Sequence, residues 1–137
     1  MIDIRNLTKE EFEQLMEEAP EVETRFLKQN PCHPYLFFKQ GIVSNGLIID
    51  GRPIYTAMVK HNENGEYVLW TIVNSNVKNK IALCKYVKRE LKNWVSLLKN
   101  IKATMHKGCP ENMKWVEWLG FKKIEEDEEY ITYKLGE

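Results

Sequence analysis

Long apolar runs are missing from this chain. No stretch approaches the roughly 20 residues that cross a bilayer, so no membrane span is expected, and Met1 to Phe12 lacks the apolar core of a secretory signal. Cysteine is scarce and scattered. Cys32, Cys84 and Cys109 are odd in number and form no CxxC, which argues against a disulfide framework or a structural zinc and predicts a reducing, cytoplasmic setting. No HxxxH, HxxE or paired-carboxylate spacing is present, so no metal site is expected, and no Gly-x-Ser-x-Gly marks a nucleophile. His33, His61 and His106 fall in a loop, a turn and a strand end, where they read as surface residues. An excess of either charge is also lacking. Twenty basic and twenty acidic residues cancel to zero net charge, which disfavours nucleic-acid binding. There is no repeat, no low-complexity tract and no linker, and 137 residues suit one domain, 1–137.

What is present is periodicity that changes along the chain. Met1 to Ile4 reads as a short strand. Thr8, with Glu11 three residues on, fits a capping box, and Phe12, Leu15, Met16 and Ala19 give the following helix one apolar face. Glu21 to Gln29 predicts a second helical piece that stops at Asn30-Pro31, and Pro31 to Pro34 predicts a loop. Leu47 to Asp50 and Pro53 to Lys60 read as strands around an Asp-Gly turn. After the turn Asn62 to Gly65, the almost wholly apolar run Tyr67 to Val73 predicts a central strand buried on both sides.

A long helix is expected over about Lys78 to Leu98. Cys84, Val87, Leu91, Trp94 and Leu98 share one face, while Lys85, Lys88, Arg89 and Lys92 lie opposite. Residues 78–107 carry nine basic residues against the single acid Glu90, whereas residues 10–23 are strongly acidic. A solvated helix face accounts for this basic stretch, and an anionic partner is the sharper alternative. Asn100 to His106 reads as a strand. The ending is a short helix with Met113, Val116 and Leu119 at helical spacing, stopped by Gly120 and followed by strands Phe121–Ile124 and Tyr130–Tyr133 around an acidic turn. The four tryptophans are expected mainly in the core, with Trp118 partly exposed and able to anchor a partner.

The order β-α-α-β-β-β-α-β-α-β-β, closing in Leu119-Gly120-Phe121, resembles the GCN5-related N-acetyltransferase (GNAT) superfamily over essentially the full length. The resemblance implies an α+β fold with a mostly antiparallel sheet of six or seven strands and helices on both faces. It also implies where a coenzyme A pyrophosphate would sit. In that superfamily a loop of the form Arg/Gln-x-x-Gly-x-Gly/Ala opens the long helix and holds the pyrophosphate on backbone N–H groups. The matching stretch here is Val73 to Leu83. Lys78 stands at the Arg/Gln place, and Ile81 and Leu83 stand at the glycine places, where their bulk is expected to obstruct the ligand. Asn74, Ser75 and Asn76 are expected to cap the helix instead. The tyrosine that many members carry four residues before the closing glycine is Val116 here, and Trp115 beside it reads as core.

From these departures the sequence predicts a catalytically silent GNAT-like protein that acts through protein–protein contact. It is loosely similar to acetyltransferase-like internal virion or morphogenesis proteins of short-tailed phages, which would put it in host cytoplasm or virion. Its partner surface is expected at Lys85, Lys88, Arg89, Lys92 and Trp118, with homo-oligomerisation open to it, and no cofactor is expected. The alternative is an acetyl-coenzyme A-dependent N-acetyltransferase with a non-standard loop. That reading gives Ile72, Val73, Lys78, Asn79 and Lys80 as cofactor contacts and Glu66, Tyr86, Cys109 and Tyr130 as weak catalytic candidates. A third reading is a nucleic-acid-binding domain using the basic helix.

Overall fold

The computed structural model describes residues 1–29, 32–76, 80–108 and 110–136, and of residues 22, 23, 26, 80 and 110–112 the backbone alone. The elements are β1 (Ile2–Ile4), α1 (Lys9–Glu18), α2 (Glu21–Lys28), α3 (Pro34–Phe38), β2 (Val43–Ile49), β3 (Arg52–His61), β4 (Tyr67–Val73), α4 (Lys80–Leu98), β5 (Ile101–His106), α5 (Pro110–Trp118), β6 (Lys122–Glu126) and β7 (Tyr130–Leu135). The strands form a seven-stranded, mostly antiparallel sheet in the order β1-β2-β3-β4-β5-β7-β6, with β4 and β5 parallel at Val68 and Lys102. The expected α+β fold is therefore present. By internal contacts the chain divides into two compact units, Met1–Lys60 with Trp70–Val77, and His61–Leu69 with Lys78–Glu137.

In the first unit local chemistry sets the element ends. Thr8 Oγ1 accepts the Glu11 N–H at 3.2 Å and Glu11 Oε1 accepts the Thr8 N–H at 2.9 Å, so the capping box opens α1 as its spacing predicts. Arg5 adds a two-pronged ion pair to Glu11 at 2.8 and 2.9 Å. Between β2 and β3, Asp50 and Gly51 both take positive φ, 51° and 78°, the pair that a two-residue primed turn demands. The Asn30–Pro31 stop lies outside the described residues. The loop expected up to Pro34 instead gives way to α3, where Pro34 takes a first-turn position and His33 Nδ1 accepts the Tyr35 N–H at 3.2 Å. The helices bury Leu7, Phe12, Leu15, Ala19, Leu27 and Phe38 against Ile48, Met58 and Ile72 of the strands.

The second unit holds the long helix and the closing strands. Along α4, Val87, Leu91 and Trp94 are buried while Lys85, Lys88, Arg89 and Lys92 are exposed, as the period requires. Cys84 and Leu98, expected on the buried stripe, are half-buried, and Leu83 and Glu90 are buried beside it. α5 ends in a Schellman closure. The Phe121 N–H bonds the Val116 carbonyl, the Gly120 N–H bonds the Glu117 carbonyl, and Gly120 sits at φ 103°. The expectation for β4 needs correction. Only Leu69 and Ile72 are buried and the other five residues are half-exposed, because an apolar, β-branched run specifies extended backbone but not what covers it.

Candidate active site

The stretch between β4 and α4 decides between the two main readings, and its described residues do not behave as expected. Asn74 is buried at 2% exposure. Its Nδ2 donates to Glu18 Oε2 at 2.7 Å and to the Pro53 carbonyl at 3.3 Å, and its Oδ1 accepts the Asn76 N–H at 2.8 Å. The Ser75 hydroxyl and N–H both donate to the Glu18 carbonyl, so Ser75 closes the C-terminus of α1. Glu18 is held ionised by Arg52 first, and its carboxyl lies below the usual range. Asn74 and Ser75 are thus bonded to the end of α1, and residues 77–79, which lead into α4, lie outside the described residues.

The two residues at the glycine places are held differently. Leu83 is 5% exposed and turned into the protein interior, away from any ligand at the surface. Ile81 is 71% exposed and stands out in solvent. Four helical positions carry a side chain more than once around the axis, so neighbours two apart face different ways, and identity at a sequence position does not place bulk in a given volume. Of the expected cofactor contacts, Lys78 and Asn79 and the side chain of Lys80 lie outside the described residues. Ile72 is fully buried in the first unit's core and Val73 is half-exposed.

The catalytic candidates separate by what holds them. Glu66, just before β4, is ion-paired to Lys102 and accepts from Asn62 Nδ2 at 3.1 Å; Lys102 and then Asn62 hold its carboxyl below the ordinary range, which weakens it as a base. Tyr86 on α4 donates its hydroxyl to Glu90 Oε2 at 2.7 Å, and burial, then Glu90, raises its phenol strongly, which makes it a reluctant acid. Cys109 lies outside the described residues. Tyr130, at the start of β7, packs edge-on against His106 with ring centroids 5.2 Å apart. His106 Nδ1 accepts the Gly108 N–H at 2.8 Å, so the neutral ring carries its proton on Nε2 as a donor.

Two features escaped the sequence. Tyr133 is buried and its hydroxyl donates to Glu117 at 3.1 Å, with burial and then Glu117 raising its phenol. The pair sits in an open groove of about 700 Å³ along α5, β6 and β7. His106 and Tyr130 meet through direct cross-strand register. Only the register could have revealed either, and register is not written in local spacing. Of the partner candidates, Lys88 and Trp118 are brought together, with the Lys88 ammonium 4.6 Å from the centre of a ring that is 49% exposed. Trp115, expected in the core, is half-buried, and among the described residues its Nε1 is a buried side-chain donor without a hydrogen-bond partner. Among the described residues no helix is long and apolar enough to cross a membrane, and no group of three or more His, Cys, Asp or Glu is placed to hold a metal.

No protein-family model matches the sequence, and no curated protein matches it. Solved structures do. A Bacillus anthracis acetyltransferase of the GNAT family superposes with a TM-score of 0.71 at 14% identity, covering 98% of this chain and 93% of that one. The Escherichia coli ribosomal-protein-S18-alanine N-acetyltransferase gives 0.66 at 16% identity, with coverage of 98% and 93%. The PaiA N-acetyltransferase from Thermoplasma acidophilum, solved in complex with coenzyme A, gives 0.65 at 16% identity, with coverage of 100% and 99%. At these identities the likeness establishes the GNAT fold. The expectation of a catalytically silent protein in a phage particle is overturned, because these neighbours are acetyltransferases and one holds coenzyme A. That inference rested on departures from a loop motif at Ile81 and Leu83 rather than on the fold.

Proposed function

We propose that this protein is an acetyl-coenzyme A-dependent N-acetyltransferase. The observation that carries the reading is the strand order with its parallel β4–β5 pair, followed through β4 into the 19-residue α4, an arrangement matched along nearly the whole chain by acetyltransferases of known structure. The residues present suit the group. Leu83 is in the interior and Ile81 is out in solvent, and Asn74 and Ser75 bond back to the end of α1. The positive end of a helix favours a pyrophosphate, and the superfamily resemblance gives Lys78 and the backbone of Asn79 and Lys80 as its contacts. When bound, the coenzyme supplies an acetyl thioester to an acceptor amine.

The chain's own residues then have to manage protons. Among the described candidates, Glu66 and Tyr86 are held by Lys102 and Glu90, and Tyr130 beside the Nε2–H of His106 offers a pair of donors. A hydroxyl or imidazole N–H there would donate to the leaving sulfur as negative charge builds on it.

Titration calorimetry and thermal melts with acetyl-coenzyme A test the reading. Saturable binding is expected, with about 2.7 kcal/mol of stabilisation at a hundredfold excess over the dissociation constant. Absence of both heat and shift at millimolar ligand would refute it. Release of free coenzyme A thiol with a panel of primary amines then tests transfer itself.

A further inference from the structure

The closing strands place three lysines abreast. Lys102 of β5 pairs directly with Lys134 of β7, and Lys134 pairs directly with Lys122 of β6. Residues directly opposite in neighbouring strands point to the same face, about 5 Å apart at the backbone. The opposite face is the covered one, since Ile101, Ala103 and Tyr133 are almost fully buried. Lys122 is exposed, whereas Lys102 and Lys134 are half-buried. The next row on the lysine face is Thr104, Thr132 and Glu125, with the two hydroxyls 3.4 Å apart, and beyond it lie His106 and Tyr130.

Like charges directly opposite one another destabilise a sheet, and this row has two such pairs side by side. Glu66 neutralises Lys102. The ammonium of Lys134, flanked by a lysine on each side, forms no ion pair or hydrogen bond among the described residues, and neither does that of Lys122. Glu125, one row away, shares the face. An ordinary solvated surface intersperses its charges, and the neighbouring strand pair shows the remedy, with Lys123 bonded to Glu126 at 2.7 Å on the same ribbon. The row therefore keeps an uncompensated positive charge at a half-buried middle position.

We propose that the lysine row Lys102–Lys134–Lys122 is a binding site for a multiply charged oxyanion, a phosphate group or a cluster of carboxylates. The ligand's oxygens sit over Lys134, receive its ammonium and that of Lys122, and extend toward the Thr104 and Thr132 hydroxyls. Three flexible ammonium groups recognise charge density without the planar geometry that arginine imposes, so affinity follows the ligand's charge more than its shape. The site does not depend on the acetyl-transfer reading.

Thermal melts of the full chain at low ionic strength test it, with inorganic phosphate, pyrophosphate and citrate each compared against sodium chloride of equal ionic strength. The expected result is an anion-specific rise of about 5 °C or more at a hundredfold excess over the dissociation constant. The rise should vanish in Lys134→Gln and shrink in Lys122→Gln. Response to the phosphates alone names a phosphate ligand, and an equal response to citrate names clustered carboxylate. A second readout needs no ligand: with its like-charge neighbours relieved, Lys134→Gln should melt at or above the wild-type temperature in low salt. The proposal is overturned if chloride reproduces the shift, if the shift survives in Lys134→Gln because the anion binds elsewhere, such as at the start of α4, or if that variant melts lower without anion.

Discussion

Leu91 shows how far a single position can be argued. It lies on the apolar stripe of α4 and keeps 1% of its surface, so Leu91→Ala removes buried methyl groups and leaves a cavity. A loss of about 2–5 kcal/mol is expected in urea unfolding. Glu11 makes a different kind of contribution. Its carboxyl accepts from Arg5 first and from the Thr8 N–H, and its pKa is lowered from 4.5 to about 2. A depressed carboxylate stabilises the fold fully above its unfolded value, and that contribution is lost as pH falls from about 4.5 toward about 2. Glu11→Gln should accordingly flatten the acid limb of a stability–pH curve in that window. The effect should be modest, because the pair is partly exposed and screened by water. Thr8→Ala removes the other half of the box and should cost about 1 kcal/mol at neutral pH.

At the scale of elements, ends matter more than middles. The turn from α5 into β6 depends on Gly120 at φ 103°, and a Cβ there would meet Leu135 Cδ1 at 3.5 Å, an ordinary contact. Gly120→Ala should therefore destabilise through backbone strain alone, by about 1–2 kcal/mol, with little change in the surrounding packing. A near-native amide spectrum with a lowered melting temperature would bear that out. The end of β4 is held by Asn74, which ties Pro53 and Glu18 together. Asn74→Ala leaves the Pro53 carbonyl short of a buried partner and should cost about 1–3 kcal/mol. If the end of β4 also positions the coenzyme, the same variant should bind acetyl-coenzyme A more weakly than its melting temperature alone explains, which calorimetry below the melting range would read.

For the whole molecule, charge balance is the dominant fact. Twenty positive and twenty negative side chains give no net repulsion near pH 6.8. The acidic stretch of α1 and the basic face of α4 remain locally charged, so copies at low salt have complementary patches and nothing to hold them apart. Light scattering at low ionic strength should show association highest near pH 6.8, falling when pH moves either way or when salt is added. Persistence at high salt would point instead to apolar contact, with the exposed Trp118 the first residue to replace.

The sequence by itself determined the elements, and through them the fold. The Thr8–Glu11 box, the Asp50-Gly51 turn, the α4 stripe of Val87, Leu91 and Trp94, and the Gly120 stop are local signals that set backbone conformation within a few residues. They appear in the structure because nothing distant overrides them. The loop expected over Pro31 to Pro34 overlaps α3 only at Pro34, where a proline suits a helix's first turn. The site was less legible. Whether Leu83 obstructs, whether Asn74 caps, and whether Lys102, Lys134 and Lys122 stand abreast depend on side-chain direction and strand register. Those are settled by long-range packing, where a single residue's slip would turn every side chain of a strand to the other face.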